Sequence, residues 1–493
     1  MLDCQNSHYF CTSSLSESKF RNFPQKPSIS AKACGLYPNS WLAMSRIDDK
    51  FVFLPPHFKK ASLMKYLPID NQLFTQNRKR LSKALPAGAL AVLHANDVMP
   101  TNADGTMPFR QNSDLFYLSG IDQEESILLL CPDAQDKKHR EILFVRETNE
   151  HIAIWEGEKL SQAQATEVSG IKTVYWLQDF DKVFFSLMAE SEYIYLNTNE
   201  HLRAEIIVET RDARFIRQCQ QRFPLHQYRR LAPLMHELRA IKSDTEIALM
   251  EEACNITEKG FRRLLGFVKP GVWEFEIEAE LAHEFLRNRS RGFAYTPIIA
   301  SGANACVLHY IENKHQCQAG EVILLDVGAE YANYASDMTR CIPVSGKFSK
   351  RQKEVYNAVL RVMKAATAML KVGNTIEEYH QAVGEVMTKE LIDLKLLKAS
   401  EVKKQIPQSP LYKKYFMHGT SHYLGLDVHD VGSKYRKFEA GMVFTCEPGI
   451  YIREEGLGIR LENDILITKK GNRDLMANIP LEVEEIESLM NQK

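Results

Sequence analysis

The chain has 493 residues, of which 44% are hydrophobic and 25% are charged, and its formal net charge at pH 7 is −1. This balance leaves no overall field that would draw the protein to nucleic acid or to an anionic membrane, so we expect neither as a partner. No run of 18 apolar residues appears in the sequence, and we therefore expect no membrane-spanning helix.

The first 63 residues differ from the rest of the chain because they are rich in Ser, Pro and Asn and show little periodicity. No apolar core of a secretory signal appears in them, and acidic residues such as Asp3 and Glu17 argue against a mitochondrial targeting peptide. Two interpretations stay open. Either Met64 is the true start and residues 1–63 are a mis-annotated extension, or these residues form a disordered tail.

From Met64 the sequence predicts an α/β domain that ends at about residue 230. Short continuous apolar runs, without the three- to four-residue spacing of a helix, are typical of buried strands. Helical segments alternate with these runs. The predicted strands cover AGALAVLHA (87–95), ESILLLCP (125–132), EILFVRE (141–147) and SEYIYLN (191–197).

The ten cysteines of the chain are scattered, and no two of them form a CxxC pair. Cys131 follows SILLL and Cys446 lies in MVFTCE, so both occur inside apolar runs. Buried thiols of this kind are typical of a reducing compartment rather than of a disulfide framework. We therefore predict a cytoplasmic protein.

The pattern of helix and strand signals in residues 241–493 predicts an α+β domain in which helices surround an antiparallel sheet. Capping boxes mark the starts of three helices, and a fourth helix is predicted over 273–287. The box pairs are Ser243 with Glu246, Ser349 with Gln352, and Thr375 with Glu378. The predicted strands are EVILLDVG (321–328), MVFTCEP (442–448) and ENDILIT (462–468).

Acidic residues inside these strands are unexpected, because a carboxylate in a core strand is costly unless it is paired, protonated or bound to a metal. They are Asp326, Glu447 and Glu462, and a hairpin would add Asp337, which lies 11 residues after Asp326. Four carboxylates and an imidazole of the HxxxH stretch at 418–422 can hold two divalent cations. Hard oxygen ligands favour Mn²⁺ or Mg²⁺, and such a pair of ions supports hydrolysis.

The order Asp, Asp, His, Glu, Glu closely resembles the pita-bread metallopeptidases (family M24B), and within them the aminopeptidase P (Xaa-Pro aminopeptidase) group. The stretches that carry the resemblance are ILLDVGAEYANYASDMTR, HGTSHYLGLDVHDVG, TCEPGIYI and GIRLENDILIT. Upstream, PFRQNSDLFYLSGIDQEESILLL resembles the N-terminal domain of that group. The resemblance implies an α/β N-terminal domain over 64–230 and an α+β pita-bread (creatinase/aminopeptidase) catalytic domain over 241–493.

The resemblance also implies a ligand set for two metal ions, most readily Mn²⁺. All five residues of the family's set are present: Asp326, Asp337, His422, Glu447 and Glu462. Asp337 and Glu462 would bridge the ions, which would share a nucleophilic hydroxide, and Glu447 would carry its proton. The implied reaction releases the N-terminal residue from peptides with proline in the second position.

Further roles are implied for residues around the metals. His309 and His429 would contact the substrate and stabilise the tetrahedral intermediate, and His418 would line the pocket on the proline side. Arg460, and less specifically Tyr451, would hold the ligands in place. Because Gly419 and Gly425 disfavour a helix at HxxxH, His418 and His422 need not share a metal.

Two residues of the N-terminal domain, Asp114 and Trp155, resemble residues that reach the substrate of a neighbouring subunit, so a homo-oligomer (dimer or tetramer) is expected. Ordinary core or surface roles are the alternative for both. Asp427 and Asp430 flank His429 and could either orient its imidazole or bond the local backbone.

Three other functions stay open at this point. A prolidase would cleave only Xaa-Pro dipeptides, and a creatinase-like enzyme of this fold would not need the metals. A binding protein that keeps the fold would be expected to have lost the carboxylates, and here none is lost.

Overall fold

The N-terminal half is built on one six-stranded sheet. The computed structural model describes residues 65–203 and 206–492, so both interpretations of residues 1–63 lie outside the described residues. The strands stand in the order β4-β3-β2-β1-β5-β6, and they are β1 Ala89–His94, β2 Ile127–Leu130, β3 Glu141–Val145, β4 Thr173–Trp176, β5 Tyr193–Leu196 and β6 Gln227–Arg230.

Both faces of this sheet are covered, which explains why its central strands read as continuous apolar runs. In β1, Ala91 and Leu93 belong to the main hydrophobic core, while Leu90 and Val92 belong to a second core on the opposite face. The four predicted strands are confirmed as β1, β2, β3 and β5. The two outer strands were not predicted: β6 reads QYRR and has no apolar run, and β4 reads TVYW and is only partly buried.

Among the described residues, seven α-helices accompany the sheet: α1 Gln72–Ala84, α2 Ser113–Ser119, α3 Glu150–Glu156, α4 Gln162–Ser169, α5 Phe180–Glu190, α6 Arg211–Arg222 and α7 Ala232–Ala240. The main core runs without interruption from Leu73 in α1 to Ile486 near the C-terminus. The domain boundaries near residues 230 and 241 therefore stay a prediction.

The C-terminal half combines long helices with small antiparallel sheets, which confirms the predicted fold class. Its helices are α8 Asp244–Phe267, α9 Glu274–Arg287, α10 Lys350–Met369, α11 Ile376–Asp393, α12 Ala399–Val402 and α13 Val483–Met490. The capping boxes of α8, α10 and α11 are all formed. No helix in the described chain combines the length and the apolar composition that a bilayer crossing needs.

The strands of this half are β7 Ile298–Ser301, β8 Val322–Val327, β9 Glu330–Tyr331, β10 Tyr334–Ala335, β11 Met338–Pro343, β12 Val443–Cys446, β13 Gly449–Ile452, β14 Leu457–Arg460, β15 Asn463–Thr468 and β16 Gly471–Asp474. They pair as β11-β8-β7, β12-β15-β16, β13-β14 and β10-β9. All of these pairs are antiparallel.

The connection from β8 to β11 places two acidic residues side by side. Thr339 of β11 is the register partner of Asp326 in β8, and Asp337 comes directly before β11. Gly328 makes the return possible, because a Cβ on it would stand 1.8 Å from the carbonyl oxygen of Ser336. That atom is backbone and cannot move aside like a side chain.

We expect Gly328→Ala to lower the free energy of unfolding by about 1–3 kcal/mol, the usual cost of forcing an extra methyl into packed structure. The matched control is Gly266→Ala in α8, where an added Cβ meets nothing within 4 Å and Ala is the better helix former. Urea unfolding followed by circular dichroism measures both. Equal stability of the two variants would contradict the argument.

Candidate metal centre

Three of the five predicted metal ligands lie close enough together to surround one ion. The candidate ligand atoms of Asp337, His422 and Glu462 all lie within 4.8 Å of one another, and all three residues are buried. Glu447 extends the group, since its Oε1 lies 3.7 Å from His422 Nε2. The hydroxyl of Tyr295 lies 2.6 Å from Oδ1 of Asp326 as well as from Oδ1 of Asp337. The five predicted ligands are thus brought together.

Each of the five residues comes from a different part of the chain. Asp326 is in β8, and Asp337 precedes β11. Glu447 follows β12, and Glu462 stands between β14 and β15. His422 lies in an irregular stretch, and the described chain has no helix between residues 415 and 442, as the glycines predicted.

Arg460 in β14 is the principal cation of the site. Its Nη2 lies 2.5 Å from Asp326 Oδ2, and its Nε donates to Thr339 Oγ1 at 3.1 Å. Thr339 in turn donates to Glu462 Oε2 at 2.7 Å. Arg460 therefore contacts one carboxylate directly and a second through a threonine.

His418 joins the same network from the other side. Its Nε2 lies 2.8 Å from the Tyr451 hydroxyl, and Arg460 Nη1 donates to that hydroxyl, also at 2.8 Å. The ring of His418 packs edge-on against Phe416, with centroids 4.9 Å apart. Burial, and then Arg460, lowers the pKa of His418 to about 3, so the ring is neutral at physiological pH.

The carboxylates of the site oppose one another electrostatically. Burial, followed by the charge of Asp326, raises the pKa of Asp337 well above its usual value. Burial, followed by Asp337 and Glu447, does the same to Glu462. Burial also raises the pKa of Glu447, to about 7. One arginine does not offset this much buried negative charge.

The donor set fits divalent cations. It consists of hard carboxylate oxygens and one imidazole, the combination that Mn²⁺, Mg²⁺ and related ions accept. His422 Nδ1 is engaged 2.9 Å from the Tyr423 carbonyl, which leaves Nε2 facing the carboxylates. Such a hydrogen bond on the far nitrogen is the common arrangement of a metal-binding histidine.

His429 and His309 lie at the edge of this cluster. The rings of His429 and His422 stand edge to face with centroids 4.4 Å apart. His309 is exposed after β7. Burial, and then His422, lowers the pKa of His429 to about 3, and His309 makes a smaller contribution. Two cavities of about 500 and 580 Å³ meet at His429.

The two predicted residues of the N-terminal half are placed differently from each other. Asp114 is buried, lines the first cavity, and lies 2.8 Å from Arg239 Nη1. Trp155 is 77% exposed on α3, and its ring neighbour is His151 of the same helix. Within the described chain no contact joins Trp155 to the cluster.

Several residues of the site were not predicted from the sequence. Tyr295 gives no signal in the sequence, because it stands outside any recognisable pattern. Thr339 could have been found, since an antiparallel hairpin after Asp326 places it opposite that residue. His201, Arg203 and His236 come from the N-terminal half and line both cavities at His429.

Comparison with known proteins agrees with this geometry. The profile of Metallopeptidase family M24 matches residues 248–469, and that of the aminopeptidase P N-terminal domain matches residues 74–195. An Xaa-Pro aminopeptidase from Haemophilus influenzae is 36% identical over 435 residues, which cover 86% of this chain and 98% of the relative. The chain belongs to the aminopeptidase P family.

Solved structures of the aminopeptidase P family have the same fold. A protein from Bacillus anthracis described as an aminopeptidase P superposes with a TM-score of 0.79 at 34% identity, covering 85% of this chain and 98% of that one. A zinc-substituted aminopeptidase P from Escherichia coli in complex with product gives a TM-score of 0.76 at 35% identity, covering 86% and 99%.

We expect Mn²⁺ added to metal-free protein to raise the thermal unfolding midpoint, because it offsets the repulsion between the buried carboxylates. At a concentration 100 times its Kd the ion contributes about 2.7 kcal/mol. Asp337→Asn should abolish this rise, whereas Asp181→Asn, at an exposed surface position, should preserve it. An equal response of both variants to Mn²⁺ would place the binding elsewhere.

Proposed function

We propose that this chain is a metal-dependent aminopeptidase that releases the N-terminal residue from peptides with proline in the second position. Membership of the aminopeptidase P family supports this activity. The observation that carries it is the convergence of Asp326, Asp337, His422, Glu447 and Glu462 with all five side chains present.

These five residues would hold two divalent cations, and we propose Mn²⁺ as the preferred ion. The oxygen-rich donor set supports a hard cation over one that prefers thiolates. Bound cations supply Lewis acidity, which activates water near neutral pH and stabilises developing negative charge.

The side chains around the metals have distinct tasks in this proposal. Glu447 would accept the proton of the attacking water and pass it to the leaving nitrogen. Its two oxygens lie 3.7 Å from His422 Nε2 and from His418 Nδ1, so it stands between a proposed metal ligand and the histidine on the proline side. His309 and His429, at the rim, would bind the substrate and stabilise the tetrahedral intermediate. Arg460 and Tyr451 would hold the carboxylates and His418 in place.

A proline ring suits the wall that His418 forms. An Xaa-Pro bond lacks the N–H that general peptidases bind, so recognition has to come from shape and apolar contact. The buried rings of Phe416 and Tyr451 pack edge to face on His418. They fix this half-buried imidazole as the surface that would contact the ring of the second residue.

We further propose that the protein is a homo-oligomer, a dimer or a tetramer. On α3 the side chains of Ile154 and Trp155 are 78% and 77% exposed, which supports contact with another subunit. In this arrangement Trp155 would reach a neighbour's substrate. Asp114 would act within its own chain, in the wall of the cavity beside His429.

We propose a cytoplasmic location. The seven cysteines within the described residues are all buried and unpaired, which suits a reducing compartment.

We expect Mn²⁺-loaded protein to release the first residue from an Xaa-Pro peptide of five or more residues, and to leave the matching Xaa-Ala peptide largely intact. Asp326→Ala should abolish the activity, and Asp181→Ala should retain it. Chromatography of the products measures all four reactions.

The same assay distinguishes the alternatives. Cleavage of an Xaa-Pro dipeptide but not of the longer peptide would make the protein a prolidase. If metal-loaded protein cleaved neither substrate, the peptidase assignment would be wrong, and a binding role for the fold would take its place.

A further inference from the structure

The stretch from His422 to Asp430, which we name the histidine loop, carries both a proposed metal ligand and the proposed catalytic His429. In the described chain, neither ring nitrogen of His429 has a hydrogen-bond partner. Among the residues that the structure describes, its ring contacts that of His422. The place of this imidazole is therefore set by the backbone of the loop rather than by a bond to the ring itself.

Arg239, at the end of α7, holds the loop on both sides of His429. Its Nη2 lies 2.8 Å from Asp427 Oδ2 and 2.5 Å from Asp430 Oδ1. Its Nη1 donates to Asp114 Oδ1 in α2 at 2.8 Å. The two aspartates that flank His429 thus bond Arg239, and within the described chain neither bonds the imidazole.

Further contacts from outside the loop support the same two aspartates. Lys242 Nζ lies 3.0 Å from Asp430 Oδ2, and Ser113 Oγ donates to Asp427 Oδ1 at 2.9 Å. Arg239, Lys242 and Asp430 are all buried, so water does not compete strongly for these bonds. A planar guanidinium can bind several carboxylates at fixed angles, which a lysine ammonium does not reproduce.

We propose that Arg239 is a positioning residue for His429. By anchoring Asp427 and Asp430 together, it fixes where the imidazole stands beside the metal centre. The inference rests on the proposed function, since it assigns Arg239 an effect on the same reaction. It extends that function to a residue that lines the first cavity but is neither a proposed metal ligand nor one of the proposed catalytic histidines.

The test compares Arg239→Gln with Arg291→Gln in the full, Mn²⁺-loaded protein. Arg291 is a matched control, because it also pairs with the N-terminal half, at Asp122, but does not touch the histidine loop. We expect Arg239→Gln to lower kcat by about tenfold or more, with a smaller effect on KM, since misplacement by about 1 Å can cost that much. Arg239→Lys should recover little of the loss, and bound Mn²⁺ per chain should stay unchanged.

A double-mutant cycle separates positioning from a general structural role. In a His429→Ala background, Arg239→Gln should cause no further fall in kcat, because the group that it positions is absent. If the two losses multiply, or if Arg239→Gln loses Mn²⁺, or if it matches Arg291→Gln, the inference is overturned.

If Arg239→Gln does not fold, Asp427→Ala replaces it in the double-mutant cycle with His429→Ala. The expected result and the results that would overturn the inference are the same. Asp427 is partly exposed. Because Asp430 forms its own pairs with Arg239 and Lys242, removing the Asp427 carboxylate leaves those buried pairs in place. Failure of the proposed function looks different, because wild-type protein would then not cleave Xaa-Pro peptides at all.

Discussion

Repulsion between buried carboxylates is the constraint on which this structure depends. Asp337 and Glu462 are buried within a few Å of each other, and Asp326 and Glu447 stand beside them. Burying such a group of like charges is unfavourable unless cations compensate it. Arg460 supplies one positive charge, and divalent metal ions held by these residues would supply more. The site is therefore built to be completed by its cofactor.

The strands around the site hold this unfavourable arrangement in place. The antiparallel pairs β8–β11, β13–β14 and β12–β15 each present one or more of the polar side chains at or next to a strand end. Because neighbouring backbones are hydrogen-bonded, the side chains cannot separate to relieve the repulsion. The hydroxyls of Thr339 and Tyr295 add neutral hydrogen bonds to three of these carboxylates.

The N-terminal half contacts the candidate site without supplying any of the five proposed metal ligands. Asp114 and Ser113 in α2, and Arg239 in α7, converge on the aspartates that flank His429. His201 and Arg203 line the same cleft. The aminopeptidase P N-terminal domain thus helps to form the cleft at His429, which gives a physical reason for the two parts to occur in one chain.

Much of this protein is determined by its sequence alone. The capping boxes of α8, α10 and α11 and the apolar runs of β1, β2 and β3 are local signals, so they predict their elements without knowledge of the fold. The sequence also predicts a set of metal ligands, because acidic residues in apolar strands are unusual and their order resembles a known family, and the structure brings these side chains together. Only the tertiary structure placed Tyr295 between two aspartates and showed that Asp427 and Asp430 bond Arg239 rather than the histidine between them. These contacts join residues far apart in the chain, and which partner a buried polar group finds depends on how separate elements pack.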